Sequence, residues 1–219
     1  MSASHPPLSI AARSTPTIVV AWIAVLITSL LAVAAWENRP GDWSTTQASW
    51  PASSSLSRAS GSYTLLLFAH PDCPCTLASL DEIERILSKR RDRLDAQCVF
   101  STVDDDANGT RASDGWERAA KVPGLRLVLD PHCAEARRFG ARTSGAVVLF
   151  DPDGRLLFRG GITGARGHAG DNAGEDAVLA LVDHKTAPSM IPVFGCPLFD
   201  PDTPGAEPRE SSPGPHDQP

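Results

Sequence analysis

Two cysteines separated by one proline stand where an apolar, strand-forming run gives way to a helical pattern, and this junction constrains the rest of the chain. The stretch reads Phe68-Ala69-His70-Pro71-Asp72-Cys73-Pro74-Cys75. Ahead of it, Tyr63-Thr64-Leu65-Leu66-Leu67 has the character of a buried strand. Behind it, the apolar residues of Thr76 to Leu87 recur at helical spacing. Both thiols are therefore expected at the start of a helix. A helix N-terminus carries unpaired N–H groups and a partial positive charge. That setting favours thiolate over thiol, and thiolate is the form that attacks a disulfide or binds a soft metal. Asp72 acts the other way, because a carboxylate beside a thiol raises its pKa.

The remaining pattern alternates. After a strand at Tyr63–Ala69, a helix is predicted from Thr76 to about Arg91, then a strand from Gln97 to Val103. An acidic turn, Asp104-Asp105-Asp106, precedes a helix from about Ser113 to Lys121 and a strand from Leu125 to Leu129. A short helix from Cys133 to Phe139 and a strand from Ala146 to Phe150 follow. Asp151-Pro152-Asp153-Gly154 is a hairpin signal leading into a strand from Arg155 to Arg159. The last helix is expected from Asn172 to His184, with Asn172 and Glu175 as a capping pair. This order implies an α/β domain with a mixed sheet and helices on both faces.

Strand, Phe68, Cys73 five residues on, then Pro74-Cys75 opening a helix resembles the thioredoxin-like fold, and within it the membrane-anchored redoxins of the TlpA or RedB type. The resemblance covers about residues 62–185. It implies a thioredoxin-like mixed sheet with a helix–strand insertion, and a thiol–disulfide oxidoreductase acting on protein thiols or disulfides. The family motif is CxxC, whereas this chain has CxC. Matched from Phe68, Cys73 is the attacking cysteine; matched from the helix, Pro74-Cys75 is the Pro-Cys pair and Cys75 resolves. A disulfide between cysteines two apart closes a tight ring, and strained disulfides are more oxidising. The family also places a cis-proline before the strand that faces the cysteines; here Ser144-Gly145 stands there, which makes Pro74, Ser144 and Gly145 expected substrate contacts. By the same resemblance the Gly-rich loop from Gly160 to Asn172 lies beside Cys73. His168 is then a candidate proton carrier, or a metal ligand, and Arg166 a candidate partner for a thiolate or substrate.

Ahead of the domain, residues 17–36 carry no charged side chain, and twenty residues at about 1.5 Å each span the roughly 30 Å hydrocarbon core. The expected organisation is a cytoplasmic segment at 1–16, a transmembrane anchor at 17–36, a linker at 37–61, the domain at 62–199 and a disordered tail at 200–219. The balance of Arg13 and the α-amino group before the span against Glu37, Arg39 and Asp42 after it favours a domain facing the periplasm or cell exterior. Ala32-Val33-Ala34 leaves a cleaved signal sequence as the alternative.

A net charge of −6 argues against nucleic acid as a partner. Five cysteines are too few for a disulfide scaffold, and the odd count leaves one over. Cys98 reads as a buried core residue and Cys133 carries no assigned role. Cys196 lies in an apolar island, Val193-Phe194-Gly195-Cys196-Pro197-Leu198, that can fold back as a third redox cysteine. No cofactor is expected for the redox reading. The alternative is a copper(I)-binding assembly protein on the same fold, with Cys73, Cys75 and His70 as ligands.

Overall fold

The computed structural model describes residues 11–44, 47–102 and 105–200. The segment expected at 1–16, the acidic turn at Asp104 and the tail expected at 200–219 therefore lie largely outside the described residues. The chain divides into two units, ending and beginning at Arg39 and Pro40. The first holds α1 (Ala11–Glu37), which from Pro16 onward is long and apolar enough to cross a membrane.

The second unit holds one five-stranded sheet: β1 (Tyr63–Ala69), β2 (Leu94–Thr102), β3 (Leu125–Pro131), β4 (Ala146–Phe150) and β5 (Leu156–Gly160). Their order across the sheet is β3-β2-β1-β4-β5. β1, β2 and β3 run parallel, and β4 and β5 run antiparallel to their neighbours. Every residue of the central β1 is buried, which is why it reads as a continuous apolar run and not as an alternation.

Helices pack on both faces. On one, Leu65 and Leu67 meet Leu80, Ile83 and Ile86 of α2 (Pro74–Arg90) and Val178 and Val182 of α6 (Ala173–Val182). On the other, Leu66 and Phe68 meet Phe139, Phe150, Val193 and Leu198, beside α5 (Ala134–Arg138). Two further helices, α3 (Ala107–Arg111) and α4 (Asp114–Ala120), lie between β2 and β3.

Local chemistry accounts for the ends of these elements. α2 begins two residues earlier than the apolar period suggests, because Pro74 takes the first helical position and Cys73 the N-cap. α3 was missed by periodicity because five residues carry no period; Asp106 starts it by accepting the Gly109 N–H at 2.8 Å. Asn172 caps α6 as expected, accepting from the Gly174 and Glu175 N–H groups. Glu175 does not return the cap; its carboxylate takes Lys89 Nζ at 2.9 Å instead.

The segment expected to be a linker departs most from the sequence reading. Trp43 pairs with Ala141, the Trp50 N–H donates to Gly154 O at 2.8 Å, and Leu56 is buried. The Trp50 ring stands edge-on to Phe139 and Phe150, with centroids 5.0 and 5.1 Å away. Ser54 and Ser55 donate to the Glu135 carboxylate. Three apolar side chains spread over fourteen residues of polar chain show neither helical nor strand period, so their packing was invisible to a periodicity argument.

Candidate functional site

The site is built at the C-terminal end of β1. His70 leaves the strand and donates its N–H to Ser144 Oγ at 3.0 Å. Its carbonyl accepts the Thr76 hydroxyl at 2.8 Å and the Cys73 N–H at 3.3 Å. The Thr76 and Ser144 hydroxyls are 3.0 Å apart, so both are fully committed to holding the turn. Cys73 then sits at the N-cap of α2 in an extended conformation, and Cys75 falls in the first turn. Both are buried.

A third thiol completes the cluster. Residues 193–199 cross the entry to β4 and bring Cys196 to the pair; the sulfurs of Cys73, Cys75 and Cys196 all lie within 4.8 Å of one another. Cys196 is half-buried. The three thiols do not titrate alike. The hydrogen bond from the Cys75 thiol, aided by the Cys196 thiol and by backbone donors, outweighs burial and holds Cys73 down at about 4. Donating to Cys73, with burial added, drives Cys75 far up. Burial, then the Cys73 charge, pushes Cys196 up to about 11, against the opposing field of Arg166. Asp72, expected to oppose the thiolate, is exposed.

Cys73 is therefore expected to react as a thiolate across the physiological range. Its alkylation by iodoacetamide, followed by peptide mapping, is expected to be flat between about pH 6 and 8 and to fall only as pH drops toward the low pKa. An ordinary thiol would still be gaining rate at the top of that window. Cys75→Ala removes the largest stabilising donor, so the midpoint is expected to move upward; an unmoved midpoint would contradict this account.

Several expected site residues lie elsewhere or act differently. Ser144 is fully buried and its hydroxyl is spent on His70 and Thr76, while its N–H donates to Cys196 O at 2.8 Å, so it does not face an incoming chain. Gly145 has φ +91°, a conformation that favours glycine, and its N–H donates to Phe68 O at 2.8 Å. His168 is exposed, with Nδ1 2.7 Å from Arg166 O, and is not part of the sulfur cluster. The loop still reaches the site, through the Gly167 backbone, which acts on Cys75. Arg166 donates to Gly195 O and so belongs to the segment carrying Cys196. His70 accepts the Asp72 N–H on Nδ1 at 3.2 Å and is likewise outside the cluster. Pro74 is exposed beside Cys73. Thr76 went unnoticed in the sequence, since nothing in its spacing distinguishes a pinning hydroxyl from an ordinary first-turn threonine.

Beside Cys73 opens a groove of about 390 Å³, with Pro71–Pro74 and Leu77 on one wall and Ala112–Gly115 on the other. Cys98 is wholly buried, and burial likewise raises Cys133, to about 12, so neither is a nucleophile.

No protein-family model matches the sequence, and no curated protein matches it. Solved structures do. A hypothetical protein from Sinorhizobium meliloti 1021 is similar at 21% identity and a TM-score of 0.51, over 63% of this chain and 79% of that one. An uncharacterized conserved protein from Geobacillus kaustophilus is similar at 17% identity and a TM-score of 0.52, over 75% and 95%. The pneumococcal exposed lipoprotein thioredoxin from Streptococcus pneumoniae aligns at 21% identity and a TM-score of 0.42, over 57% and 85%. The mixed sheet with helices on both faces and the cysteine at the head of the helix after the central strand match the pattern read from the sequence. The fold is thioredoxin-like. In this thioredoxin-like domain the sulfur cluster occupies the strand-to-helix junction, and the β4 entry that faces it is covered by the chain's own residues 193–199.

Proposed function

We propose that the chain is a membrane-anchored thiol–disulfide oxidoreductase, with α1 as its single span and the domain facing the periplasm or cell exterior. Cys73 is the attacking cysteine, Cys75 resolves, and the substrates are protein thiols or disulfides. The observation that carries this reading is the placement of Cys73: at a helix N-cap, within 4.8 Å of two further thiols that hold its pKa down, and lining a groove. The Cys73 thiolate attacks a partner disulfide, displaces one partner sulfur as thiolate and forms a mixed disulfide. Cys75 then loses its proton to the departing sulfur and attacks Cys73 Sγ, releasing the second partner thiol. Two protein thiols are oxidised and one partner disulfide is reduced; the reverse sequence oxidises a partner dithiol. Pro74 and Leu77, both exposed at the groove, are the surfaces a partner would meet.

The third sulfur favours a second reading. Three thiols within 4.8 Å form an all-sulfur donor set, which suits copper(I) better than the two thiols and His70 expected from the sequence. One sample separates the two: the domain from Pro40 onward, tested for thiol titre, bound metal and disulfide-reductase activity. Activity that disappears with Cys73 supports the oxidoreductase; inactive protein holding one copper(I) supports the metal reading. For topology, a reporter fused after Pro219 should be active only when exported. Activity in the cytoplasm, or a mature chain starting at Ala35, would remove the anchored form.

A further inference from the structure

A two-cysteine exchange needs no third thiol to carry electrons, yet residues 193–199 are built to hold one in place. Val193, Leu198 and Phe199 are buried in the core. The Gly41 N–H donates to Val193 O at 2.7 Å, and the Leu198 N–H donates to Arg142 O at 2.9 Å. The Ser144 N–H donates to Cys196 O at 2.8 Å, and Thr143 pairs antiparallel with Pro197. The Arg137 guanidinium lies 3.9 Å from the centre of the Phe199 ring. At Gly195 a side chain would stand 1.8 Å from Ser144 O, so only glycine lets the backbone approach closely enough to deliver the next residue to the cluster. These contacts fix both sides of Cys196, a half-buried residue, and set its sulfur within 4.8 Å of the other two.

The same hydrogen bonds occupy the backbone of residues 142–144 at the β4 entry. A partner segment cannot pair there while residues 193–199 do. The groove beside Cys73, between Pro74 and Ala112–Gly115, is not lined by residues 193–199 and offers a partner another approach.

We infer that Cys196 is a second resolving cysteine, fixed beside Cys73 by residues 193–199 and able to release a bound partner without Cys75. This rests on Cys73 being the attacking thiol. The first step is the one given above and leaves Cys73 joined to a partner sulfur. Cys196 then gives its proton to the departing partner sulfur and attacks Cys73 Sγ. The bond to the partner breaks, the Cys73–Cys196 bond forms, and the partner leaves as a thiol. Cys75 can next attack Cys73 Sγ, which moves the disulfide to Cys73–Cys75 and returns Cys196 to a thiol. No oxidant beyond the partner disulfide is consumed.

Chemistry favours Cys196 for this step. The field of Arg166 favours the ionised form of its thiol. A Cys73–Cys196 link also closes a loop of more than a hundred residues rather than a tight CxC ring.

The test uses the full chain with Cys98→Ala and Cys133→Ala, reduced and then mixed with oxidised glutathione without air. In Cys75→Ser, glutathione should be released and a peptide cross-link between Cys73 and Cys196 should appear. In Cys75→Ser with Cys196→Ser, the Cys73–glutathione adduct should persist, released at least about tenfold more slowly. Cys196→Ala should behave as Cys196→Ser. If Cys75→Ser holds its glutathione as long as the double variant, Cys196 is not a resolving thiol, and the attacking role of Cys73 survives. If no variant forms an adduct at Cys73, the oxidoreductase reading itself falls, and the inference with it.

Discussion

Replacing Cys73 with serine is expected to lower disulfide exchange by about a thousandfold or more, to the level of the uncatalysed reaction. A hydroxyl at this position is neither ionised nor nucleophilic toward sulfur at neutral pH. No other thiol can substitute for it. Burial, which the substitution leaves in place, raises both Cys75 and Cys196, and Cys98 and Cys133 are wholly buried. Serine fits the N-cap at least as well as cysteine, so the helix should stay in place and the loss should be chemical. The measurement is reduction of a model protein disulfide by Cys73→Ser and the parent chain, with circular dichroism on both. Residual activity above about a tenth of the parent would mean that another thiol attacks.

A disulfide between Cys73 and Cys75 is expected to be more oxidising than that of thioredoxin, which lies near about −270 mV, by at least about 60 mV. Two effects push the same way. In the reduced state the Cys73 thiolate is stabilised by the Cys75 and Cys196 thiols, and whatever stabilises the reduced form raises the potential. In the oxidised state the bond must span one intervening residue, between an extended Cys73 and a helical Cys75. Equilibration with glutathione buffers reads the potential. Cys196→Ala removes one thiolate donor and should lower it; a potential at or below that of thioredoxin would show that neither effect operates.

The framework of the domain was legible because its elements are strongly patterned. β1 and β4 have the bounds expected from their apolar runs, and Asn172 caps α6 where its sequence suggests. Placing two thiols at the head of a helix needed only the switch from strand to helical period. What was not legible depended on side-chain direction or on contacts distant in sequence. Trp43, Trp50 and Leu56 pack on the domain without any period to announce them. His168 stands in a loop that does reach the site, but the loop presents Gly167 to the cysteines and turns the imidazole to solvent. Ser144 occupies the position expected of a substrate contact, yet its hydroxyl pins His70 and its N–H holds Cys196. Cys196 is the intermediate case. An apolar island ahead of a polar, proline-rich tail marks a segment with something to bury, but only the fold brings its sulfur within 4.8 Å of the other two.

The proposed oxidoreductase chemistry requires Cys73 and Cys75 to form a reversible bond by themselves. The most direct measurement is intact-mass spectrometry of the air-oxidised domain carrying Cys98→Ala, Cys133→Ala and Cys196→Ser. The account predicts a loss of about two mass units, two hydrogens, fully recovered with a dithiol reductant. Thiols that stay free under oxidation while the parent domain binds one copper(I) tightly would contradict it.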